Sequence, residues 1–457
     1  MKSSTLRINN DISGTFNSSI ELLNEIHKIV NRAVQSNMQS VLTDCPHREK
    51  LGWLEETHLV FPAIQRFFDV QAYGRSVVRK IAEAQLDDGM VPSIAPEYPV
   101  FSGGFRDEPN WGNSLVLLPL YLYQSYGEIN LLEEFYPNMI SYINYLSARA
   151  QNYILSYGLG DWYAIDQSTP LGVTATYGYW MTANGLSIIA NALNKSIDAS
   201  KYSQLAMNIS SAFHQTFFNS TEHCYATGSQ ASNVFALEMG AVPSTEEQPV
   251  IEYLINDIRR RNNHTSSGEV SLPTWFRMLS HYGQDEIVYD FLSRTDSPSY
   301  GYAIMHGATS LTEDWDGPVP SRGQGLSSQN HFMFGAVDEW LTRSLAGIQQ
   351  PIYSNDYRII HIKPSIIPHI HHVKGTYRTT RGWIHSQWNY DEDYLSLDVT
   401  IPCGSIAYVY LPGINATTDY GTFIHFDQIK SLTIFKIPSG NYHFNSIFIR
   451  STFPSLM

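Results

Sequence analysis

Hydrophobic residues recur every three or four positions along most of the chain, from about residue 17 to residue 346. In the first such segment Leu23, Ile26 and Val30 share one helical face with Ala33 and Val34, which predicts an amphipathic helix. The same spacing predicts further helices near residues 72–86, 113–126, 131–149, 178–194, 199–217, 247–261, 270–282 and 331–345. Because no strand pattern alternates with these helices, we expect an α/α barrel rather than a β/α barrel.

The segments between these helices are rich in Gly, Pro, Asp and Trp, as in DDGMVPSIAP, GLGDWYAIDQSTP and TEDWDGPVPSRGQG. Such residues favour turns and loops. We expect one set of these loops to form a funnel at one end of the barrel.

The hydrophobic pattern changes near residue 347, where apolar and polar residues begin to alternate. Leu395, Leu397 and Val399 face one way, and Ser396 and Asp398 the other. The same alternation occurs around Ile359–Ile362, Trp383–Trp388 and Ser405–Leu411. We therefore predict a C-terminal antiparallel β-sandwich over residues 347–457. Residues 17–346 form the predicted helical barrel, and residues 1–16 a remnant of an upstream β region or a linker.

Composition narrows the classes of partner. The 457 residues carry a net charge of −14, and no Lys/Arg cluster stands out, which argues against nucleic acid as a partner. The longest apolar stretch, Leu115–Tyr123, is about half a membrane span and contains Pro119, so we predict no membrane segment. Charged residues are 16% of the chain and aromatic residues 13%, a balance that suits clefts for largely uncharged ligands.

The cysteines and the N-terminus give little information about metal binding or the cellular compartment. Three scattered cysteines predict neither a disulfide framework nor a zinc site. The N-terminus lacks the apolar core of a signal peptide, and the compartment and the oligomeric state stay open.

The densest polar cluster is the segment DCPHREKLGWLEE. It combines four carboxylates, one arginine and one tryptophan, at Asp44, Arg48, Glu49, Trp53, Glu55 and Glu56. Glycoside hydrolysis needs one carboxylic acid to protonate the leaving oxygen and a second group to activate water. Further acceptors and a ring would then hold the sugar. The same residues also suit a solvated loop followed by an ordinary helix start rich in Glu.

Other loops repeat the combination of an acid with a tryptophan. Glu313 lies beside Trp315, Trp111 follows an acidic residue in EPNW, and Asp161 precedes Trp162. Taken singly, these tryptophans suit packing, and His331, which opens a predicted helix, suits a cap. Their repetition on loops between helices favours a single carbohydrate-binding cleft.

Other chemistries lack their motifs. The sequence contains no HExxH, paired CxxC, GxSxG or phosphate-binding glycine loop. The run His369-Ile-His371-His372 could hold a transition metal, but it has no cysteine nearby, and we predict no metal site.

These segments, in this order, resemble the α-L-rhamnosidases of glycoside hydrolase family 78. DCPHREKLGW is similar to that family's Asp-Cys-Pro-x-Arg-Glu/Asp signature, and the similarity continues through PNWGNSLVLLPLYLYQSYGE, GDWYAIDQSTP, PSYGYAIMHGATSLTEDWDG, QNHFMFGAVDEWL and VKGTYRTTRGWIHSQW. The resemblance covers nearly the whole chain from about residue 14. It implies an (α/α)6 barrel followed by a β-sandwich.

The resemblance also implies a reaction, the hydrolysis of terminal non-reducing α-L-rhamnose from rhamnosides or pectic oligosaccharides with inversion. Glu49 is similar to the general acid and Glu313 to the general base. The implied substrate-binding residues are Asp44, Arg48, Trp53, Glu56, Trp111, Asp161, Trp162, Trp315 and His331. The resemblance implies no metal and no cofactor.

Two segments depart from the family pattern. After Trp53 many relatives have Thr-Gly-Asp, whereas this chain has Leu54-Glu55-Glu56. Around Glu313 the commoner pattern is Trp-Glu-Arg-Trp, whereas Asp314 follows the glutamate here. An inverting glycosidase for another sugar, or a catalytically inactive carbohydrate-binding protein, therefore remains an alternative. Relatives also place β domains before the barrel, so we expect a shortened form or an incomplete product, and secretion stays open.

Overall fold

A computed structural model describes residues 10–319, 327–352, 354–428 and 431–448. Part of the predicted N-terminal remnant, residues 1–9, lies outside the described residues, as do positions 320–326 of the TEDWDG loop and the last nine residues of the predicted sandwich.

Fifteen helices are described before the β-rich part of the chain. In chain order they are α1 (Glu21–Asn37), α2 (Leu54–Leu59), α3 (Phe61–Phe67), α4 (Gln71–Ala84), α5 (Pro109–Gly112), α6 (Ser114–Tyr126), α7 (Ile129–Arg149), α8 (Leu171–Ala192), α9 (Ser196–Phe217), α10 (Gln230–Glu238), α11 (Glu247–Arg260), α12 (Leu272–His281), α13 (Asp285–Leu292), α14 (Tyr300–Met305) and α15 (Val337–Trp340). A π-helical turn, Leu341–Leu345, continues α15. Within the described part of the chain, no helix has the length and apolar character of a membrane span.

The helices form two concentric rings. The inner ring closes on itself through contacts in the order α3, α6, α8, α10, α12, α15 and back to α3. The outer helices α1, α4, α7, α9, α11 and α13 alternate with the inner ones along the chain, which gives six hairpins. The predicted (α/α)6 barrel is confirmed.

The helices differ in how clearly their sequences show an amphipathic pattern. Outer helices such as α1 bury one stripe and expose the other, so their apolar spacing is clear. The inner helix α10 is buried along Gln230–Leu237 on every side, and α2 is buried over its whole length. Because these helices have no solvent face, they show no amphipathic period, and the periodicity missed them. The helix expected near 331–345 begins only at Val337.

Thirteen strands are described, most of them after the barrel. They are β1 (Gly14–Ser18), β2 (Phe218–Asn219), β3 (Cys224–Tyr225), β4 (Ile348–Gln349), β5 (Ile359–Ile362), β6 (His372–Thr379), β7 (Gly382–Asp391), β8 (Tyr394–Ile401), β9 (Ile406–Pro412), β10 (Ile414–Thr418), β11 (Thr422–Asp427), β12 (Leu432–Ile437) and β13 (Gly440–Ile447). The alternation in β8 is as predicted, with Leu395, Leu397 and Val399 buried.

Two sheets make up the C-terminal domain. One has the order β1-β6-β7-β8-β13-β10 and the other β11-β12-β9-β5-β4. Their pairs are antiparallel except β5 with β9, which run parallel. Strand β1 comes from the front of the chain and pairs with β6, Gly14 opposite Tyr377. The segment predicted as a remnant or linker thus contributes an edge strand to the C-terminal sheet, a pairing that local sequence pattern does not reveal.

Asp285, at the start of α13, links the barrel to the C-terminal domain. Its carboxylate accepts hydrogen bonds from Trp340 Nε1 (2.7 Å) on α15 and from Ser365 Oγ (2.7 Å) beyond β5. Ser280 Oγ donates a third bond from the end of α12. One buried side chain therefore connects two inner helices to the segment between β5 and β6 of the C-terminal domain.

Replacing Asp285 with Ala is expected to lower the free energy of unfolding by about 1–3 kcal/mol, because the buried Trp340 N–H loses its acceptor. Urea denaturation, followed by tryptophan fluorescence, measures the change. Asp87→Ala, at an exposed loop position, is the matched control and should shift stability by less than about 0.5 kcal/mol. Equal effects of the two substitutions would contradict the structural role of Asp285.

Candidate active site

The loops that precede the inner helices meet at one end of the barrel. They surround an open cavity, which is lined by Asp44, Glu49, Trp53, Glu55, Phe105, Trp111, Leu159, Trp162, Glu313, His331 and Met333. These residues come from the segments before α2, α6, α8 and α15 and from α2 and α5 themselves. The funnel expected from the loop composition is therefore present.

The segment before α2 is held in a closed turn by Asp44. Its backbone N–H bonds Leu51 O (3.0 Å), and its Oδ1 accepts from Leu51 N (2.9 Å). Lys50, inside this turn, has a left-handed backbone conformation (φ 62°). Asp44 Oδ2 is buried and has no hydrogen-bond partner among the described residues. One oxygen of Asp44 therefore shapes the loop, and the other is available to a ligand.

Glu49 is placed by the tryptophan that follows it in the motif. Trp53 Nε1 donates a 2.8 Å hydrogen bond to Glu49 Oε2. Burial raises the pKa of Glu49 above its usual range, and the charges of Asp44 and Glu313 act in the same direction, although the bond from Trp53 opposes it. Although much of the Glu49 side chain is exposed, its carboxyl group faces the cavity wall and keeps its proton to higher pH than an unperturbed glutamate does.

Glu313 is held on the other side of the same cavity. Ser328 N donates to Glu313 Oε2 (2.7 Å), and the Tyr163 hydroxyl donates to Oε1 (2.9 Å). The backbone N–H of Glu313 bonds Ser328 O (2.9 Å), which joins two stretches of the long segment between α14 and α15. Two donors and a backbone bond thus fix the position of this carboxyl group.

Beneath these two groups lies a buried ion pair. Glu56 Oε1 is 2.6 Å from His331 Nε2, and both side chains are less than 10% exposed. Burial raises the pKa of Glu56. Burial lowers the pKa of His331, but the charge of Glu56, the hydrogen bonds with Cys45 and Glu56 and the charge of Glu313 together outweigh burial, so that the net shift is upward. The histidine therefore carries the positive charge that faces the carboxylates.

Aromatic rings form the cavity wall. Trp53 stacks on Phe101 with centroids 5.2 Å apart, and Phe105 meets the edge of Trp162 at 5.6 Å. Trp111, 1% exposed, contributes its ring from α5, and its Nε1 has no partner among the described residues. These rings give the cavity an apolar side next to its acidic one.

The sequence profile of the bacterial alpha-L-rhamnosidase 6 hairpin glycosidase domain matches residues 11–345, and that of the bacterial alpha-L-rhamnosidase C-terminal domain matches residues 347–421. The first match alone covers more than half of the chain. This chain belongs to the bacterial α-L-rhamnosidase six-hairpin glycosidase family.

Relatives of this rhamnosidase-family chain are distant but similar along its length. An alpha-L-rhamnosidase of Streptomyces avermitilis is 26% identical over 437 residues, which are 94% of this chain and 42% of that protein. One from Formosa agariphila is 26% identical over 93% of this chain and 46% of its own length. The chain thus spans less than half the length of these relatives.

Solved structures agree with the assignment. The alpha-L-rhamnosidase from Dictyoglumus thermophilum superposes with a TM-score of 0.90 at 29% sequence identity. The aligned residues are 96% of this chain and 51% of that one. The Streptomyces avermitilis alpha-L-rhamnosidase complexed with L-rhamnose has a TM-score of 0.90 at 25% identity, with 96% and 42% covered.

Seven of the eleven residues expected in the rhamnosidase site line the cavity, and Glu56 lies under it. The other three do not line it. Trp315 is buried and stacks on Phe334 at 4.2 Å. Asp161 accepts bonds from Ser271 N (3.0 Å) and Ser271 Oγ (2.6 Å) and so positions the segment before α12. Arg48 is exposed in the loop.

Several lining residues were not expected. Glu55 is one of them, although its departure from the family's Thr-Gly-Asp pattern was already a signal. Phe105, Leu159 and Met333 also line the cavity. Their types are common in any core, so nothing local marks them as site residues.

Proposed function

We propose that this chain hydrolyses terminal α-L-rhamnosides by an inverting mechanism, with Glu49 as general acid and Glu313 as general base. The observation that supports it most is the placement of two carboxyl groups with different surroundings on one cavity. Inverting hydrolysis uses such a pair, one to protonate the leaving oxygen and one to activate water. Rhamnose is the proposed sugar because the relatives are alpha-L-rhamnosidases, one of them complexed with L-rhamnose.

Glu49 suits the acid because burial raises its pKa, so that it remains protonated nearer to neutral pH. The bond from Trp53 also fixes its carboxyl group at the cavity. Glu313 suits the base because Tyr163 and Ser328 hold its carboxyl group in place for a water.

The remaining polar groups suit a sugar. Asp44 Oδ2 and Trp111 Nε1 are buried without partners among the described residues, and sugar hydroxyls can donate to the first and accept from the second. Glu56 and His331 add an acceptor and a donor, and the rings of Trp53 and Trp162 shield the reacting bond from water.

Hydrolysis of p-nitrophenyl α-L-rhamnopyranoside by the purified chain tests the proposal. The matched panel contains the corresponding α-L-arabinopyranoside, β-D-glucoside and α-D-mannoside. We expect turnover of the rhamnoside with kcat/KM at least tenfold above the others. A folded protein that binds rhamnose without cleaving any rhamnoside would instead indicate a carbohydrate-binding protein, and preference for another sugar would overturn the substrate assignment.

Trp53→Phe is expected to move the alkaline limb of the pH profile of kcat/KM to higher pH. The tryptophan N–H bonds the carboxylate form of Glu49 and so lowers its pKa, and its removal raises that pKa. Because the acid must be protonated, activity then persists to higher pH. Trp162→Phe, which removes no bond to Glu49, is the control. A shift to lower pH in the Trp53 variant would contradict the assignment of Glu49 as the acid.

A further inference from the structure

Three glutamates lie together at the floor of the cavity. One carboxylate oxygen from each of Glu55, Glu56 and Glu269 lies within 4.8 Å of the other two, and all three residues are buried. Glu55 and Glu56 are neighbours on α2, whereas Glu269 comes from the segment before α12 and is 0% exposed. Helix α2 and the segment before α12 therefore converge on one acidic point.

The fold supplies almost no hydrogen-bond donors to this group. Both oxygens of Glu269, Glu55 Oε2 and Glu56 Oε2 are buried, and none has a partner among the described residues. The other oxygen of Glu56 faces His331. Four oxygens from three side chains are thus left without a donor, at a depth where each unpaired charge is costly.

Two other buried carboxylates near the cluster receive several hydrogen bonds each. Glu108 accepts bonds from Asn110 N (3.1 Å), Asn110 Nδ2 (2.8 Å) and Leu159 N (2.7 Å). Asp161 accepts from Gly268 N (2.8 Å) and twice from Ser271. Both are close enough to affect the pKa of Glu269. The fold therefore supplies hydrogen-bond donors to Glu108 and Asp161, whereas both oxygens of Glu269 have none among the described residues.

We propose that Glu55, Glu56 and Glu269 bind a divalent cation, with calcium as the best fit. When all three carboxyl groups are ionised, their charge exceeds the single positive charge of His331 by two, which one divalent ion balances. Hard cations take carboxylate oxygens as ligands. Calcium suits a buried group of protein carboxylates better than magnesium does, because magnesium gives up its water ligands reluctantly and is rarely bound by protein oxygens alone.

The cation would lie directly under the sugar site. Glu55 lines the cavity and belongs to the cluster, so it connects the two. Calcium binding does not require the proposed hydrolysis, since binding and thermal stability report it without substrate. Loss of calcium binding and loss of rhamnosidase activity are therefore distinguishable.

Isothermal titration of the EDTA-treated chain with CaCl₂ at pH 7 tests the site. We expect one calcium per chain, a melting temperature that rises by several degrees with calcium, and binding at least tenfold weaker in Glu269→Gln. Glu133→Gln, an exposed acid on α7, controls for binding to the acidic surface and should bind as the wild type does. No saturable binding at millimolar calcium, or unchanged binding by the Glu269 variant, would overturn the site.

A second measurement uses only the wild-type chain, in case the variant fails to fold. Terbium bound to the cluster should show emission sensitised by the cavity tryptophans, and calcium should displace it far better than magnesium. Absence of displaceable terbium emission would also overturn the proposal. The three carboxyl groups would then be kept neutral by protons rather than by a metal.

Discussion

Replacing Glu313 with Gln is expected to lower kcat for p-nitrophenyl α-L-rhamnopyranoside by about 10²–10⁴-fold, the usual contribution of a general base. The amide keeps the size of the side chain and can still contact Tyr163 and Ser328, but it cannot take a proton from water. Because the sugar contacts remain, KM should change little. Steady-state kinetics on the purified variant measures both constants.

Asp314→Asn is the matched control, since this acid follows Glu313 on the same segment and does not line the cavity. It should retain activity within a few-fold of the wild type.

In Glu313→Ala, sodium azide should restore turnover and give a rhamnosyl azide of inverted configuration, because an anion replaces the activated water. Full activity of Glu313→Gln would exclude this residue as the base.

Replacing Glu49 with Gln should have an equally large effect, but one that depends on the leaving group. For alkyl rhamnosides, whose leaving oxygen needs a proton, we expect kcat/KM to fall by about 10²–10⁴-fold. For 2,4-dinitrophenyl α-L-rhamnoside the fall should be much smaller, since this leaving group departs without protonation. The variant should also lose the alkaline limb of its pH profile.

Glu83→Gln, an exposed acid on the outer helix α4, provides the control for Glu49 and should leave the rates on both substrates unchanged. A uniform loss of activity across leaving groups would show that Glu49 acts in binding or in folding rather than as the acid. The comparison of two substrates therefore separates the two roles within one variant.

The sequence predicted helices of both rings, and the apolar spacing is clearest in the outer ones. Helices such as α1 and α11 bury one stripe, and their apolar spacing shows it. Inner helices such as α10 are buried on all sides and show no period. The partnership of β1 with β6 joins residues more than 350 positions apart, and only the folded chain reveals it.

Within the site, residues of one short motif could be predicted from the sequence, whereas residues placed by tertiary packing could not. Asp44, Glu49 and Trp53 lie in one short motif, and the structure brings all three to the cavity. Trp315 carries an equally suggestive acid–tryptophan pattern, yet its ring packs on Phe334 in the core. Glu269 stands between apolar and serine residues with no motif around it, and its place beside Glu55 depends on how α2 and α12 pack.

The stereochemistry of the first product tests the central claim most directly. Proton NMR should follow hydrolysis of an α-L-rhamnoside by the wild-type chain at early times, before the free sugar mutarotates. If Glu49 protonates the leaving oxygen while Glu313 delivers water to the opposite face, the first signal is that of β-L-rhamnose, and α-L-rhamnose grows in later. Initial release of α-L-rhamnose would contradict the account, because it requires a covalent intermediate on one of the two carboxylates.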